Sequence, residues 1–421
     1  MLLANLSTPL LGLVDTSILG HLNSPIYLGA VALGAQLVAL LFWSFGFLRM
    51  GTTGSTSRCF GAADKDELKA ILIRGVCFGT FIGLAILVTQ SFYLPSLIEL
   101  ITKDPVINPL ALAYSEIRIW SAPATLITYV LLGWLIGIQK TSFAMAAIVS
   151  LNLLNIALDY LFVVELDLRS DGAAWATLIS EYVGCVVAGA LSLRAAKHLG
   201  ISFDRRPVFD WQAYLVLFRS SQHLFVRTLC LLFCFLYFSV QSAEFGENTL
   251  AANAILLNLL AITAYAMDGF AYAAETLGGE AWGAKNKFRF QQVAIYTWGW
   301  AIGVALLSSA IMIAGEPWIF NIYTDIPIVQ SELGHYFLWL ALLPLVAVHS
   351  YQLDGIFLGA GETLAMRNAM LASCFLVFFP LWFALESLGN LGLWITLWVF
   401  HIARCGFLFP RFCKIFRCHF T

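Results

Sequence analysis

The chain has 421 residues, 60% of them hydrophobic and only 11% charged, with a formal net charge of −2 and a mean hydropathy of +0.83. A soluble chain carries about 25% charged residues, so the bilayer rather than water is the main solvent here. The near-neutral charge excludes the basic footprint of a nucleic-acid binder. Nine scattered cysteines, with no C-x-x-C pair and no Cys/His cluster, exclude a disulfide framework and a structural zinc site.

A membrane helix needs about 20 mostly apolar residues. Twelve such spans are read: 1–21, 28–57, 68–95, 109–138, 143–165, 172–197, 213–243, 248–278, 288–314, 329–359, 364–386 and 391–412. The first begins at Met1 without a positive leader region, so no cleaved signal peptide is read; the natural start is expected upstream. That span holds LLGLVDTSILG, an apolar run with one carboxylate, Asp15. An ionised Asp at the centre of a membrane helix costs about 2.5–3.5 kcal/mol, which makes Asp15 a functional candidate. The competing reading is an Asp that caps or snorkels at a helix end, since Gly20 and His21 follow.

The fourth span carries Tyr114 and Arg118 near its start. The fifth carries Asn152, Asn155 and Asp159 at i, i+3 and i+7, which fall on one helix face. Amide stripes commonly glue membrane helices together, but amides suffice for glue and a carboxylate does not help it. Thr177 lies early in the sixth span. In the second half, the seventh span has Arg219 and Arg227, the eighth has Asp268 and Glu275, and the tenth has Asp354. The bland reading there is an Arg227–Asp268 or Arg227–Asp354 pair that neutralises itself.

The loops are short. The longest, KHLGISFDRRPVFD, starts at Lys197 and sits midway. It divides the chain into an N-lobe (1–198, spans one to six), a linker (199–212) and a C-lobe (213–421, spans seven to twelve, with a short tail). If the first span runs outward, one side of the membrane collects Arg58, Lys65, Lys140, Arg194, Lys197, Arg205, Arg206, Lys285, Arg289, Arg367 and the basic tail. The other side holds only Lys103 and Arg169. The positive-inside rule then places both termini, and the linker, in the cytoplasm. Under this orientation Asp15, Tyr114, Arg118, Asp159 and Thr177 all belong to the outer half of the membrane.

The halves repeat. Leu28 to Ala62 aligns without gaps on Leu250 to Ala284, so that Gly61-Ala62 falls on Gly283-Ala284. At the same spacing the Gly137 turn falls on the Gly359 turn. Parallel repeats of this kind are a transporter architecture with the substrate site between the halves. The repeat is chemically asymmetric, because Tyr237 stands where Asp15 would recur and Leu381 where Asp159 would.

LLGLVDTSILGHL, FLRMGTTGSTSRCFGA, LLGWLIG, NLLNIALDY, AYAMDGFAYAAE and YQLDGIFLGA, in this order, resemble the multidrug and toxic compound extrusion (MATE) transporters, and among them the bacterial DinF-like branch. The resemblance covers essentially the whole chain. It implies an all-α polytopic protein of twelve transmembrane helices, arranged as two six-helix bundles facing a cleft. It also implies a monomer of the bacterial inner membrane that exports cationic or amphiphilic organic compounds against an inward H+ or Na+ gradient. By the same resemblance, Asp15, Asn155, Asp159, Thr177 and Tyr114 form one coupling cluster, to which Arg118 is added here as a counter-ion. Arg118 also reads as a residue snorkelling to the interface.

Two carboxylates in a low-dielectric cluster cannot both ionise cheaply, so a proton carrier is the leading reading. Proton binding would re-pack the first span, which contains Pro9 and Gly12 at bending positions. The same oxygens are able to hold Na+. Sodium-coupled NorM-like relatives place a Glu in the seventh span near an Asp in the tenth. Here the seventh span offers Arg227 instead, although Asp354 is present. A lipid or polysaccharide-precursor flippase is the alternative from the same broad shape. An intramembrane enzyme is disfavoured, since no H-E-x-x-H or G-x-S-x-G motif occurs. No cofactor is expected.

Overall fold

The computed structural model describes residues 25–201 and 210–418, and every regular element within them is a helix. The first span, and Asp15 with it, lies outside the described residues. In chain order the helices are α1 (Pro25–Ser44), α2 (Phe47–Gly61), α3 (Lys65–Ile101), α4 (Ile107–Ile119), α5 (Ala122–Gly137), α6 (Thr141–Asp159) and α7 (Arg169–His198). They continue as α8 (Trp211–Glu244), α9 (Glu247–Gly283), α10 (Lys287–Tyr323), α11 (Pro327–Ala360), α12 (Thr363–Ala372), α13 (Phe379–Leu385) and α14 (Asn390–Cys418). Among the described residues 10 spans are long and apolar enough to cross a membrane, or 11 with α4 and α5 taken as one. They account for the second to twelfth spans of the sequence. The chain divides into two compact units, with the boundary between Leu217 and Phe218 in the first turns of α8.

The fourth span is not the single helix read over 109–138. It breaks at Trp120–Ser121, and α4 and α5 meet at a bend of 51°. Pro123 sits in the first turn of α5, where its missing N–H is harmless; in a helix interior its ring would strike the carbonyl four residues back. The second span has a milder interruption. Phe45 and Gly46 donate to carbonyls only three residues back, Phe42 and Trp43, at 2.9 Å each, a tightened turn between α1 and α2. The fifth span passes from α6 into a π-helical turn, Tyr160–Glu165, and the eleventh carries another, Ser373–Phe378, between α12 and α13.

The repeat is visible in local geometry. α3 starts from Asp64, whose side chain accepts from Glu67 N, and contains Pro95. α10 starts from Asn286, which accepts from Arg289 N, and contains Pro317. The turns before them place Ala63 and Lys285 in the left-handed region at φ 56° and 53°. The equivalent turns after α5 and α11 do the same with Gln139 at φ 62° and Gly361 at φ 79°. In the loop before α4, Asp104 Oδ1 accepts from Val106 N at 2.8 Å and Ile107 N at 3.0 Å. These bonds hold its carboxyl below the usual carboxylate range.

α5 is apolar around its whole circumference and buried along almost all of its length, as such a helix must be. It is the axle of the first unit. Trp134, Leu131 and Leu135 pack against Leu68 and Leu72 of α3, Ala144 and Ala147 of α6, and Ala188 and Ala195 of α7. In the second unit α11 holds the same place, with Phe337 and Leu340 packed among Phe238, Leu256, Trp382, Trp394 and Phe400. Both axles approach a neighbour through repeat-equivalent glycines. A Cβ at Gly133 would lie 2.6 Å from the Arg49 carbonyl, and one at Gly355 would lie 2.2 Å from the Ala271 carbonyl. Small residues at such contacts let membrane helices touch backbone to backbone. Gly355→Val is therefore expected to push α9 and α11 apart, at a cost of about 1–3 kcal/mol for overpacking. Thermal unfolding in detergent would show a lowered midpoint, with Gly299→Ala, where nothing lies within 4 Å, unchanged.

Candidate functional site

α6 presents two faces. Leu153, and Tyr160 directly after the helix, are exposed at 63% and 55%, whereas Asn155 and Asp159 are buried at 0% and 2%. A one-turn spacing puts Asn155 and Asp159 on the same inward face, and Asn152 lies beside them, partly buried. Asp159 is the last residue of α6, directly before the π-helical turn. Such turns are frequent at functional sites because they re-aim side chains and free backbone groups.

α7 runs along that face. Thr177 is one turn after Ala173, whose carbonyl accepts its hydroxyl at 2.9 Å. Asn155 Nδ2 donates to Thr177 Oγ1 at 3.3 Å, which joins the fifth and sixth spans. Tyr114 of α4 is 4% exposed and packs with Val163, Ala173 and Ala174, at the end of α7 that carries Thr177. Of the five residues assigned to the coupling cluster, Asn155 and Thr177 are bonded to each other, Asp159 shares the buried face of Asn155, and Tyr114 packs beside Ala173. The fifth, Asp15, lies outside the described residues.

The second unit shows what buried amide glue looks like. Asn253 Nδ2 donates to Ser242 Oγ at 2.8 Å and to Asn390 Oδ1 at 2.7 Å. Asn253 Oδ1 accepts from Trp394 Nε1 at 3.0 Å and Asn390 Nδ2 at 3.3 Å. That knot uses the donors and the acceptor of Asn253 and contains no charge. Asn155 differs: among the described residues its Oδ1 has no hydrogen-bond partner, and a carboxylate lies one turn away.

Arg118 stands at the α4–α5 bend. Its Nη1 donates to Ser121 Oγ at 3.0 Å, and Ser121 Oγ donates back to the Arg118 carbonyl at 2.9 Å. The carboxylate it faces is Glu181 of α7, which also lies against Thr125. Tyr129 of α5 faces Glu181 together with Arg49 of α2 and Arg118. Glu181 and Arg49 escaped the sequence reading. The signal was present, since Glu181 is a carboxylate inside an apolar span, the criterion that singled out Asp15.

In the second unit Arg227 pairs with Asp354, and the pair is not alone. Arg404 of α14 donates from Nη2 to the same carboxylate oxygen of Asp354 at 2.6 Å. Asp354, Arg227 and Arg404 are 7%, 7% and 2% exposed. The Arg404 guanidinium lies 5.7 Å from the centre of the Tyr351 ring, and Asp268, half-buried, faces that tyrosine. Two guanidiniums thus share one carboxylate oxygen of Asp354. Arg404 was also missed, although it lies inside the twelfth span. Among the described residues no group of three or more His, Cys, Asp and Glu side chains is placed to hold a metal ion.

A family model described as MatE matches residues 1–161 and 224–383. The chain is 36% identical over 400 residues to DNA damage-inducible protein F of Escherichia coli strain K12, an alignment covering 95% of this chain and 87% of that protein. It is 23% identical over 436 residues to the probable multidrug resistance protein NorM of Caulobacter vibrioides, covering 98% and 89% of the two. Its fold matches that of a MOP superfamily transporter from Pyrococcus furiosus with a TM-score of 0.90 at 20% identity, over 99% of this chain and 94% of the other. The chain belongs to the MatE family, the multidrug and toxic compound extrusion transporters.

Proposed function

We propose that this transporter exports cationic or amphiphilic organic compounds across a bacterial inner membrane in exchange for H+, with both termini in the cytoplasm. The observation that carries the reading is the buried Asp159 one turn from Asn155, which is itself bonded to Thr177. A carboxylate enclosed at membrane depth, beside an amide with hydrogen-bonding capacity in reserve, is built to change its protonation state. Asp15 of the first span joins it on the strength of the family resemblance, and Tyr114 closes the group from α4. Protonation removes a charge and creates a donor, which lets the first span re-pack about Pro9 and Gly12. The match to a protein named for multidrug resistance supports organic compounds as cargo.

The test is export of ethidium from everted vesicles with the pH and Na+ gradients imposed separately. Export driven by the pH gradient alone is expected. Export that follows only the Na+ gradient would contradict proton coupling, and none under either would contradict antiport. A milder variant reads the same site. Asn155→Ala removes a neutral partner contributing about 0.5–1.5 kcal/mol, so the pH optimum of export should move by up to about one unit while a maximum remains. An unmoved pH profile would separate Asn155 from the cluster.

A further inference from the structure

We propose that Glu181 is a second proton-carrying site of the first unit, which passes protons between the Asp159 cluster and the cytoplasmic half of that unit. This rests on the antiport reading above. A cluster in the outer half of the membrane needs a way to release its protons inward, and Glu181 stands at the next step. Thr177 and Glu181 are one turn apart on the same face of α7, which is about 6 Å along the helix axis. Ala173, Thr177 and Glu181 therefore form one line, with Asn155 and Tyr114 against its outer end and Thr125, Arg118 and Tyr129 against its inner end.

The contrast with Asp354 supports a mobile charge. Asp354 is held by two guanidiniums at hydrogen-bond distance, a closed ion-paired triad. Glu181 makes no ion pair within 4.0 Å among the described residues. Arg118 spends Nη1 on Ser121 and leaves its Nε without a partner among the described residues. Arg118 therefore faces this carboxylate without being bonded to it, so no ion pair locks the Glu181 side chain in place among the described residues. The repeat adds a second observation. Tyr129 and Tyr351 are equivalent positions in LITYVLLGWLIG and AVHSYQLDGIFLG. Each tyrosine faces its unit's charge network, locked around Asp354 in one and open around Glu181 in the other.

Among the described residues, the charged and titratable groups about Glu181 are Arg118 from α4, Tyr129 from α5, Arg49 from α2 through Tyr129, and Cys185 from its own helix. From α6 come Asn155, bonded to Thr177, and Asp159, one turn further along α6. In the proposed step the Asp159 cluster gives up one proton and the Glu181 carboxylate takes it. Glu181 then loses it to cytoplasmic water, so one positive charge has moved inward and both sites are ionised again.

The experiment is ethidium export from proteoliposomes under a pH gradient of fixed size, repeated over a range of pH on the cytoplasmic face. Ethidium binding and thermal unfolding are measured in detergent for the same variants. Glu181→Gln is expected to bind ethidium and unfold as the wild type does, yet to export at least about tenfold more slowly, with its dependence on cytoplasmic pH flattened. Glu181→Asp, which keeps the carboxylate, should recover most of the rate and the pH dependence. Arg118→Lys, which keeps the facing charge, should shift the profile without flattening it. Export by Glu181→Gln at the wild-type rate and profile would overturn the assignment, as would equal recovery by Gln and Asp relative to Glu181→Ala. A wild type that ignores the pH gradient would instead contradict the antiport reading, so the two failures are distinct.

Discussion

Asp159→Asn is expected to abolish pH-driven export while the protein still folds and inserts. The side chain keeps its size and position at the end of α6, one turn from Asn155, and loses only the ability to exchange a proton. Burial at 2% exposure makes the neutral amide no harder to accommodate than the carboxylate, since burying an ionised group is the larger cost. Ethidium binding should survive. Coupling should not, and export should fall to the background of empty vesicles. The same result is expected for Asp15→Asn, and the double variant should be no worse than either single one. Non-additivity is the mark of groups that act as one unit. Two partial losses that multiply would instead assign the carboxylates to separate steps.

The second large effect lies in the other unit and concerns stability. Asp354→Leu should leave Arg227 and Arg404, 7% and 2% exposed, without the carboxylate they share. Removing one side of a buried charge pair costs about 3–5 kcal/mol, and here two like charges remain. The yield of folded protein in the membrane and the unfolding midpoint in detergent should both drop sharply. Replacing all three residues with apolar side chains should recover much of the loss, because buried ion pairs are often worth little against well-packed hydrophobic residues. An Asp354→Leu variant as stable as wild type would show that the triad carries no strain when opened, and would favour a cation-exchanging role for Asp354.

The repeat was legible because turns obey local rules. The Gly-Ala junctions after Gly61 and Gly283, and the turns after Gly137 and Gly359, all proved to be places where the chain enters the left-handed region. The stripe on α6 was legible for the same reason, since a fixed helical period fixes which residues share a face. The break at Trp120–Ser121 was not. The apolar pattern runs through it unbroken, and Pro123 was compatible with either a kinked helix or a new one. Glu181 and Arg404 were passed over because a single charge hardly alters a long apolar window, and their neighbours come from helices distant in sequence. The Asn253–Asn390–Trp394 knot could not be read at all, because it is made by tertiary packing of α9 against α14.

The most direct measurement of the central claim is proton release on substrate binding, read with a pH indicator in weakly buffered detergent solution. Adding ethidium to the wild type at near-neutral pH should release protons in proportion to the ethidium bound. Asp159→Asn should bind ethidium and release fewer or none. Binding to the wild type without any proton release, or undiminished release from Asp159→Asn, would contradict the claim that this carboxylate couples H+ to export.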